Sequence, residues 1–122
     1  MDLSNCIEKI KASKLPHRYK KKLIKDLEQI AKENIQGILA IVLFGSAARN
    51  DLRIGSDLDI LILTNKTVEQ SVRGSLASDL EEEVDGVSTD LIFYTYEDFK
   101  ASTCILVQQI KADGIVLWEE GI

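Results

Sequence analysis

The sequence predicts an α/β fold, in which a small mixed sheet of about three or four strands is flanked by helices. Two apolar stretches lack the polar-apolar alternation of half-exposed strands and are typical of strands covered on both faces. They are Ile38–Phe44 and the part of Asp57–Leu63 that follows its two acids. Elsewhere apolar residues recur at helical spacing. With 122 residues, 45% of them hydrophobic and 29% charged, the chain is expected to form one soluble globular domain.

The N-terminal part is predicted to be helical. Apolar spacing indicates helices over Leu3–Lys14 and His17–Glu33, and Pro16 between them suits the first turn of the second. Residues 1–34 are therefore expected to pack as a helical segment on a domain formed by residues 35–122.

Charge is distributed unevenly along the chain. Residues 1–25 carry eight Lys or Arg and two acidic residues, whereas residues 26–122 carry seven and eighteen. The acidic body argues against sequence-independent nucleic-acid binding, because phosphates would be repelled. The run Lys20–Lys22 is interpreted as a solvated face, the alternative being a contact surface for a partner or for phosphates.

Several classes of protein find no support in the sequence. His17 is the only histidine, so a Ser–His–acid or Cys–His mechanism is not indicated, and no P-loop motif occurs. Cys6 and Cys104 are far apart and predict neither a disulfide scaffold nor a zinc site, but two buried or idle thiols. No apolar run approaches the roughly 20 residues of a membrane span, and no signal peptide is recognisable, so a cytoplasmic location is expected.

The candidate site lies where the first strand ends. Gly45-Ser46 follows that strand directly, and after ten intervening residues Asp57 and Asp59 appear. Acids at i and i+2 at the start of a strand project to one face, where an oxygen-preferring ion such as Mg²⁺ would relieve their repulsion. Ser46 is expected at a strand-to-helix turn, where free amides attract an anion, and it is also a good helix N-cap. Together these features indicate nucleoside triphosphate chemistry.

This pattern, Gly-Ser, ten residues and Asp-x-Asp, resembles the signature of the DNA polymerase β-like nucleotidyltransferase superfamily. A chain this short is similar to the minimal nucleotidyltransferases, small proteins often paired with a helical HEPN-domain partner as toxin and antitoxin. The resemblance implies a nucleotidyltransferase fold like the polymerase β palm. It also implies that Gly45 and Ser46 hold the triphosphate, that Arg49 positions phosphate or loop, and that Ser56 belongs to the motif; a plain surface arginine is the alternative for Arg49.

Two positions depart from the commonest pattern. Ala47 stands where a larger, often basic residue is frequent, and Asn50 stands where glycine is frequent. Asn tolerates a left-handed backbone, so the turn is expected to survive. Ala47 cannot make the contacts with substrate or partner that a larger basic side chain at this position would make.

Further along, a helix is predicted from about Val68 to Val84, and a third strand from Val87 to Tyr96. Asp90 is the one acid inside that strand. An unpaired buried charge is costly, and the resemblance implies that Asp90 is the third metal carboxylate, able to accept a proton. Asp85 is the rival.

The end of the chain is predicted to contain one long helix and a last strand. The helix is expected from Tyr96 to Lys111 or Ala112, followed by the strand Ile115–Trp118. Trp118 is interpreted as a core residue rather than a base-stacking one.

The resemblance implies Mg²⁺-dependent transfer of AMP from ATP, or of another nucleotide, to a tyrosine or similar hydroxyl on a HEPN-domain toxin, with Asp57, Asp59 and Asp90 binding one or two ions. Two alternatives stay open. The chain is either a binding module that neutralises its partner by covering it, or a nucleotidyltransferase acting on a small molecule. Assembly as a homo- or hetero-oligomer is also left open by the sequence.

Overall fold

The computed structural model describes residues 1–120, so the last two residues of the predicted 35–122 domain lie outside the described residues. Helices and strands follow one another along the chain with short connections. The helices are α1 Ser4–Ala12, α2 His17–Lys32, α3 Gly45–Ala48, α4 Gln70–Glu81, α5 Tyr96–Ala101 and α6 Ile105–Asp113. The strands are β1 Ile38–Phe44, β2 Leu58–Thr64, β3 Thr89–Thr95 and β4 Ile115–Glu119.

The four strands form one mixed sheet in the order β3-β2-β1-β4. β1 pairs antiparallel with β2 and β4, whereas β2 and β3 are parallel. The C-terminal end of β1 and the N-terminal ends of β2 and β3 therefore meet at the same end of the sheet. This arrangement confirms the predicted mixed α/β architecture.

The two faces of the sheet are covered unequally. On one face, α1, α2 and α4 form the main core, in which Leu23, Leu27 and Ile30 of α2 are fully buried. Burial of such a side chain contributes roughly 1.5–3 kcal/mol. The other face has a smaller core, in which Ile110 of α6 and Phe99 of α5 pack on β1 and β2. Trp118 is half-buried against the main core, as predicted.

The prediction of one long helix after the third strand is wrong. The chain forms α5 and α6, separated by residues 102–104 in extended conformation around Ser102 and Cys104. The Ser102 hydroxyl accepts a hydrogen bond from the Cys104 amide at 3.2 Å, and the Cys104 sulfur accepts from the Val107 amide at 3.5 Å. These local bonds compete with helical ones and restart the helix.

The fourth helix is shorter than predicted, because it ends at Glu81 rather than near Val84. A tight turn follows, in which Asp85 and Gly86 both have positive φ angles, of 53° and 80°. This turn delivers the chain to β3, which begins at Thr89.

The interpretation of Lys20–Lys22 as a solvated face is wrong for Lys22. Its side chain is 1% exposed, and its ammonium donates to Asp26 at 2.5 Å and to the Leu80 carbonyl at 2.7 Å. A buried charge requires such partners. Lys22 thus links α2 to the end of α4.

Both cysteines are free; Cys6 is buried, as expected, whereas Cys104 is exposed. Of the helices within residues 1–120, none has both the length and the apolar character needed to cross a membrane.

Candidate active site

The strand β1 runs directly into the one-turn helix α3, and Gly45 forms the junction. Its φ angle is +71°, a left-handed conformation that favours glycine. A β-carbon at this position would also overlap the carboxylate of Asp59. Glycine is therefore required both for the backbone conformation and for the close approach of Asp59. The expected approach of a phosphate to Gly45 stays a prediction.

Ser46 lies in the first turn of α3 and is half-buried. The interpretation of Ser46 as the N-cap is wrong, because Phe44 occupies that position and no side chain among residues 1–120 caps this helix. The Ser46 hydroxyl is therefore not used for capping, and its binding to a triphosphate stays a prediction.

The two departures from the commonest motif fit the turn. Ala47 is 5% exposed and packs in the main core, so this position faces away from solvent. Asn50 has a φ of +56°, which confirms the expected left-handed conformation. The turn is closed by the Asp51 amide, which donates to the Ser46 carbonyl at 2.9 Å.

The predicted carboxylates lie at the same end of the sheet. Asp57 is exposed and immediately precedes β2, and Asp59 is half-buried within it. Leu58 between them is fully buried in the main core, so the two acids turn to the opposite face. On the neighbouring strand, Asp90 is the register partner of Asp59, and its predecessor Thr89 is buried against Asp26 of α2. The expectation of a buried charge at Asp90 is wrong, because its side chain is exposed at the end of the sheet.

The pKa of Asp59 is shifted by its burial and by the charged groups around it. Burial of its carboxyl, followed by the negative charges of Asp90 and Asp57, raises the pKa of Asp59 from 3.8 to about 6. The positive charge of Arg49 acts in the opposite direction. The three acids and Arg49 therefore form one electrostatic cluster.

Arg49 and Ser56 occupy different positions relative to this cluster. Arg49 is exposed and lines the cavity above Asp59. Ser56 shapes the loop before Asp57, because its hydroxyl accepts from the Arg53 amide at 2.9 Å. Direct nucleotide contacts by either residue stay predictions.

A cavity of about 230 Å³ opens over Asp59, and α6 forms one of its walls. The cavity is lined by Phe44, Gly45, Arg49, Asp59, Leu106, Gln109 and Ile110. Sequence reasoning did not single out the three α6 residues, and the only signal for them was the Ser-Thr-Cys break that starts this helix. Two of the larger cavities, of about 350 and 660 Å³, lie beside β4, and no carboxylate of the cluster lines either.

The donor chemistry of the cluster suits Mg²⁺. In the arrangement found within residues 1–120, no group of three or more His, Cys, Asp or Glu side chains converges at metal-binding distance. Carboxylate oxygens are nevertheless the donors that Mg²⁺ prefers. Besides burial, the negative charges of Asp90 and Asp57 raise the pKa of Asp59, and a divalent cation would relieve this repulsion. Asp57, Asp59 and Asp90 therefore fit such an ion in charge and in ligand type.

Comparison with known proteins identifies the family of this chain. The family model described as the nucleotidyltransferase domain matches residues 20–116, from within α2 to within β4. This chain therefore belongs to the nucleotidyltransferase domain family.

The chain is 30% identical over 90 residues to the protein adenylyltransferase MntA of Shewanella oneidensis. That alignment covers 74% of this chain and 60% of MntA, so it spans less than two thirds of the relative.

Two solved structures extend the likeness to three dimensions. A crystal structure of a toxin-antitoxin with AMP-PNP has a TM-score of 0.59 and 30% identity, covering 82% of this chain and 73% of its own. A structure of a tri-AMPylated Shewanella oneidensis HEPN toxin in complex with its MNT antitoxin has a TM-score of 0.52 and 25% identity, covering 81% and 73%.

Proposed function

We propose that this protein is a Mg²⁺-dependent adenylyltransferase that transfers AMP from ATP to a hydroxyl of a HEPN-domain toxin and thereby acts as its antitoxin. The observation that carries the proposal is the meeting of Asp59, its register partner Asp90 and the Gly45 turn at one end of the sheet. The similarity to MntA and to the complex with an AMPylated HEPN toxin supports the choice of donor and acceptor. Because ATP is abundant in the cytoplasm, the proposed reaction belongs there.

In the proposed reaction the acceptor hydroxyl attacks the α-phosphorus of ATP. A new phosphorus–oxygen bond forms, the bond to the β-phosphate oxygen breaks, and pyrophosphate leaves. Asp90 takes the proton of the hydroxyl. The amides of Gly45 and Ser46, the Ser46 hydroxyl and the Arg49 guanidinium hold the triphosphate. Asp57, Asp59 and Asp90 would hold one or two Mg²⁺ ions, which would supply positive charge to the reacting phosphate when bound.

The test is the intact mass of a cognate HEPN-domain protein after incubation with this protein, ATP and Mg²⁺. The wild type should add one or more AMP units, and the variant D57N/D59N should add none, because two acidic ligands become neutral. The matched control is D79N/D113N, which removes two exposed carboxylates on α4 and at the end of α6. This control should transfer AMP at the wild-type rate.

Two outcomes would contradict the proposal. Transfer by D57N/D59N at the wild-type level would refute the assignment of the site. A wild type that adds no AMP, yet silences the toxin in a stable complex as well as D57N/D59N does, would instead support neutralisation by binding alone.

A further inference from the structure

Helix α2 contacts the loop that carries the first candidate metal ligand. The hydroxyl of Tyr19 donates a hydrogen bond to the carbonyl of Ser56 at 2.7 Å. Tyr19 is 2% exposed, and the bond itself is partly buried. Ser56 directly precedes Asp57, and its carbonyl is part of the peptide bond that joins the two residues. Tyr19 therefore fixes the orientation of that peptide.

The same helix contacts the strand that carries another ligand. The hydroxyl of Thr89 donates to the Asp26 carboxylate at 2.5 Å, and Lys22 donates to the other oxygen of that carboxylate. Asp26 and Thr89 are 3% and 1% exposed. Thr89 immediately precedes Asp90 in β3, and the two side chains point to opposite faces of the sheet. By binding Thr89, Asp26 therefore fixes the backbone next to Asp90.

These two contacts come from one face of one helix. Tyr19 and Asp26 are seven residues apart, which is close to two helical turns and places both on the side of α2 that faces the sheet. Each contacts the residue immediately before a predicted ligand.

We propose that Tyr19 and Asp26 are positioning residues that hold Asp57 and Asp90 for a divalent cation. This inference rests on the metal site of the proposed function. The negative charges of Asp90 and Asp57 act on Asp59, so the fold must hold the backbones that carry these acids against their repulsion. Pairing of β2 with β3 sets the spacing of their backbones, through bonds such as that from the Leu58 amide to the Ser88 carbonyl at 2.9 Å. The α2 contacts add a second restraint from the buried face.

The experiment measures cation binding directly and needs neither ATP nor a partner. Mn²⁺ is titrated into the protein, and paramagnetic broadening of the backbone amide signals of residues 57–60 and 90–92 is followed by NMR. The variants are Y19F and T89V, which remove the two hydroxyls, and T89S, which keeps the second one. Removing groups that orient metal ligands typically weakens metal binding, and we expect about a tenfold loss for Y19F and T89V but recovery in T89S.

A matched control separates positioning from general stability. Thr64 is also 1% exposed, and its hydroxyl donates to the Lys66 carbonyl at 2.7 Å. It lies at the far end of β2, roughly 20 Å from Leu58 at about 3.3 Å per residue. T64V deletes the hydrogen bond of another buried threonine hydroxyl, and we expect it to lower the urea midpoint while Mn²⁺ binding stays at the wild-type level.

Three results would overturn the inference. They are wild-type Mn²⁺ affinity in both Y19F and T89V, an equal loss of affinity in T64V, and a wild type in which Mn²⁺ does not broaden the amide signals of residues 57–60 and 90–92. If T89V does not fold, Y19F tests the contact to Ser56, and T89A, which also removes the hydroxyl, takes the place of T89V. Absence of AMP transfer with normal Mn²⁺ binding would refute the proposed function alone, so the two failures are distinguishable.

Discussion

The carboxylate of Asp59 lies directly against the Cα of Gly45, so that the turn expected to hold phosphate and a strand expected to hold metal meet without an intervening side chain. This contact sets the distance between the Gly45 turn and the strand that carries Asp59. It also means that position 45 has no room for any side chain larger than the hydrogen atom of glycine.

Replacement of Gly45 by alanine should destabilise the fold by about 2–4 kcal/mol, because the positive φ and the overlap with Asp59 each carry a cost. G55A separates these effects. Gly55 has a φ of +85° but no atom within 4 Å of an added β-carbon, so only about 1 kcal/mol should be lost. G74A, in open space within α4, should gain about 0.5–1 kcal/mol. Urea denaturation measures all three, and equal losses in G45A and G55A would exclude the close contact.

Replacement of Lys22 by methionine should cost about 3–5 kcal/mol, because the Asp26 carboxylate would remain buried without its ammonium partner. The neighbouring Lys21 provides the comparison. It pairs with Asp85 at 3.1 Å, but these two side chains are 56% and 51% exposed, so K21M should cost no more than about 1 kcal/mol. A loss in K22M as small as that in K21M would mean that Lys22 is solvated after all.

Replacement of Arg49 by alanine should lower the rate of AMP transfer about 10- to 100-fold, because a charged hydrogen bond to phosphate contributes roughly 1.5–3 kcal/mol. Arg53 serves as the control. It is exposed in the same loop, 3.8 Å from Asp51, and does not line the cavity over Asp59. Steady-state kinetics of both variants decide the matter, and an unchanged rate in R49A would make Arg49 an ordinary surface residue.

The stability of the metal-free protein should fall as the pH rises through about 6, the raised pKa of Asp59. A carboxyl with a raised pKa in the folded state stabilises the fold below its unfolded pKa, and this stabilisation is lost as the folded group ionises. D59N lacks this ionisation. In EDTA, the wild type should therefore lose at most about 3 kcal/mol relative to D59N between pH 4 and pH 7.5. A constant difference across that range would contradict the prediction.

Sequence reasoning located the strands better than the contacts that support them. β1 was predicted with its observed bounds, and β2 within one residue, because both are continuous apolar runs ended by polar residues. The placement of Asp59 beside Gly45 followed from one strand–turn–strand motif. In contrast, the burial of Lys22 and the bond from Thr89 to Asp26 join residues far apart in sequence, and no local pattern encodes such contacts.

The unequal covering of the sheet has a consequence for motion. Three helices cover the face behind the carboxylates, whereas α5 and α6, of six and nine residues, are the helices that pack on the other face within residues 1–120. Elements with few buried contacts open more often than the core around them. Hydrogen exchange should therefore be faster in α6 than in β1 and β2, so that the cavity wall formed by Leu106 and Gln109 can move while the strands that carry the acids stay fixed.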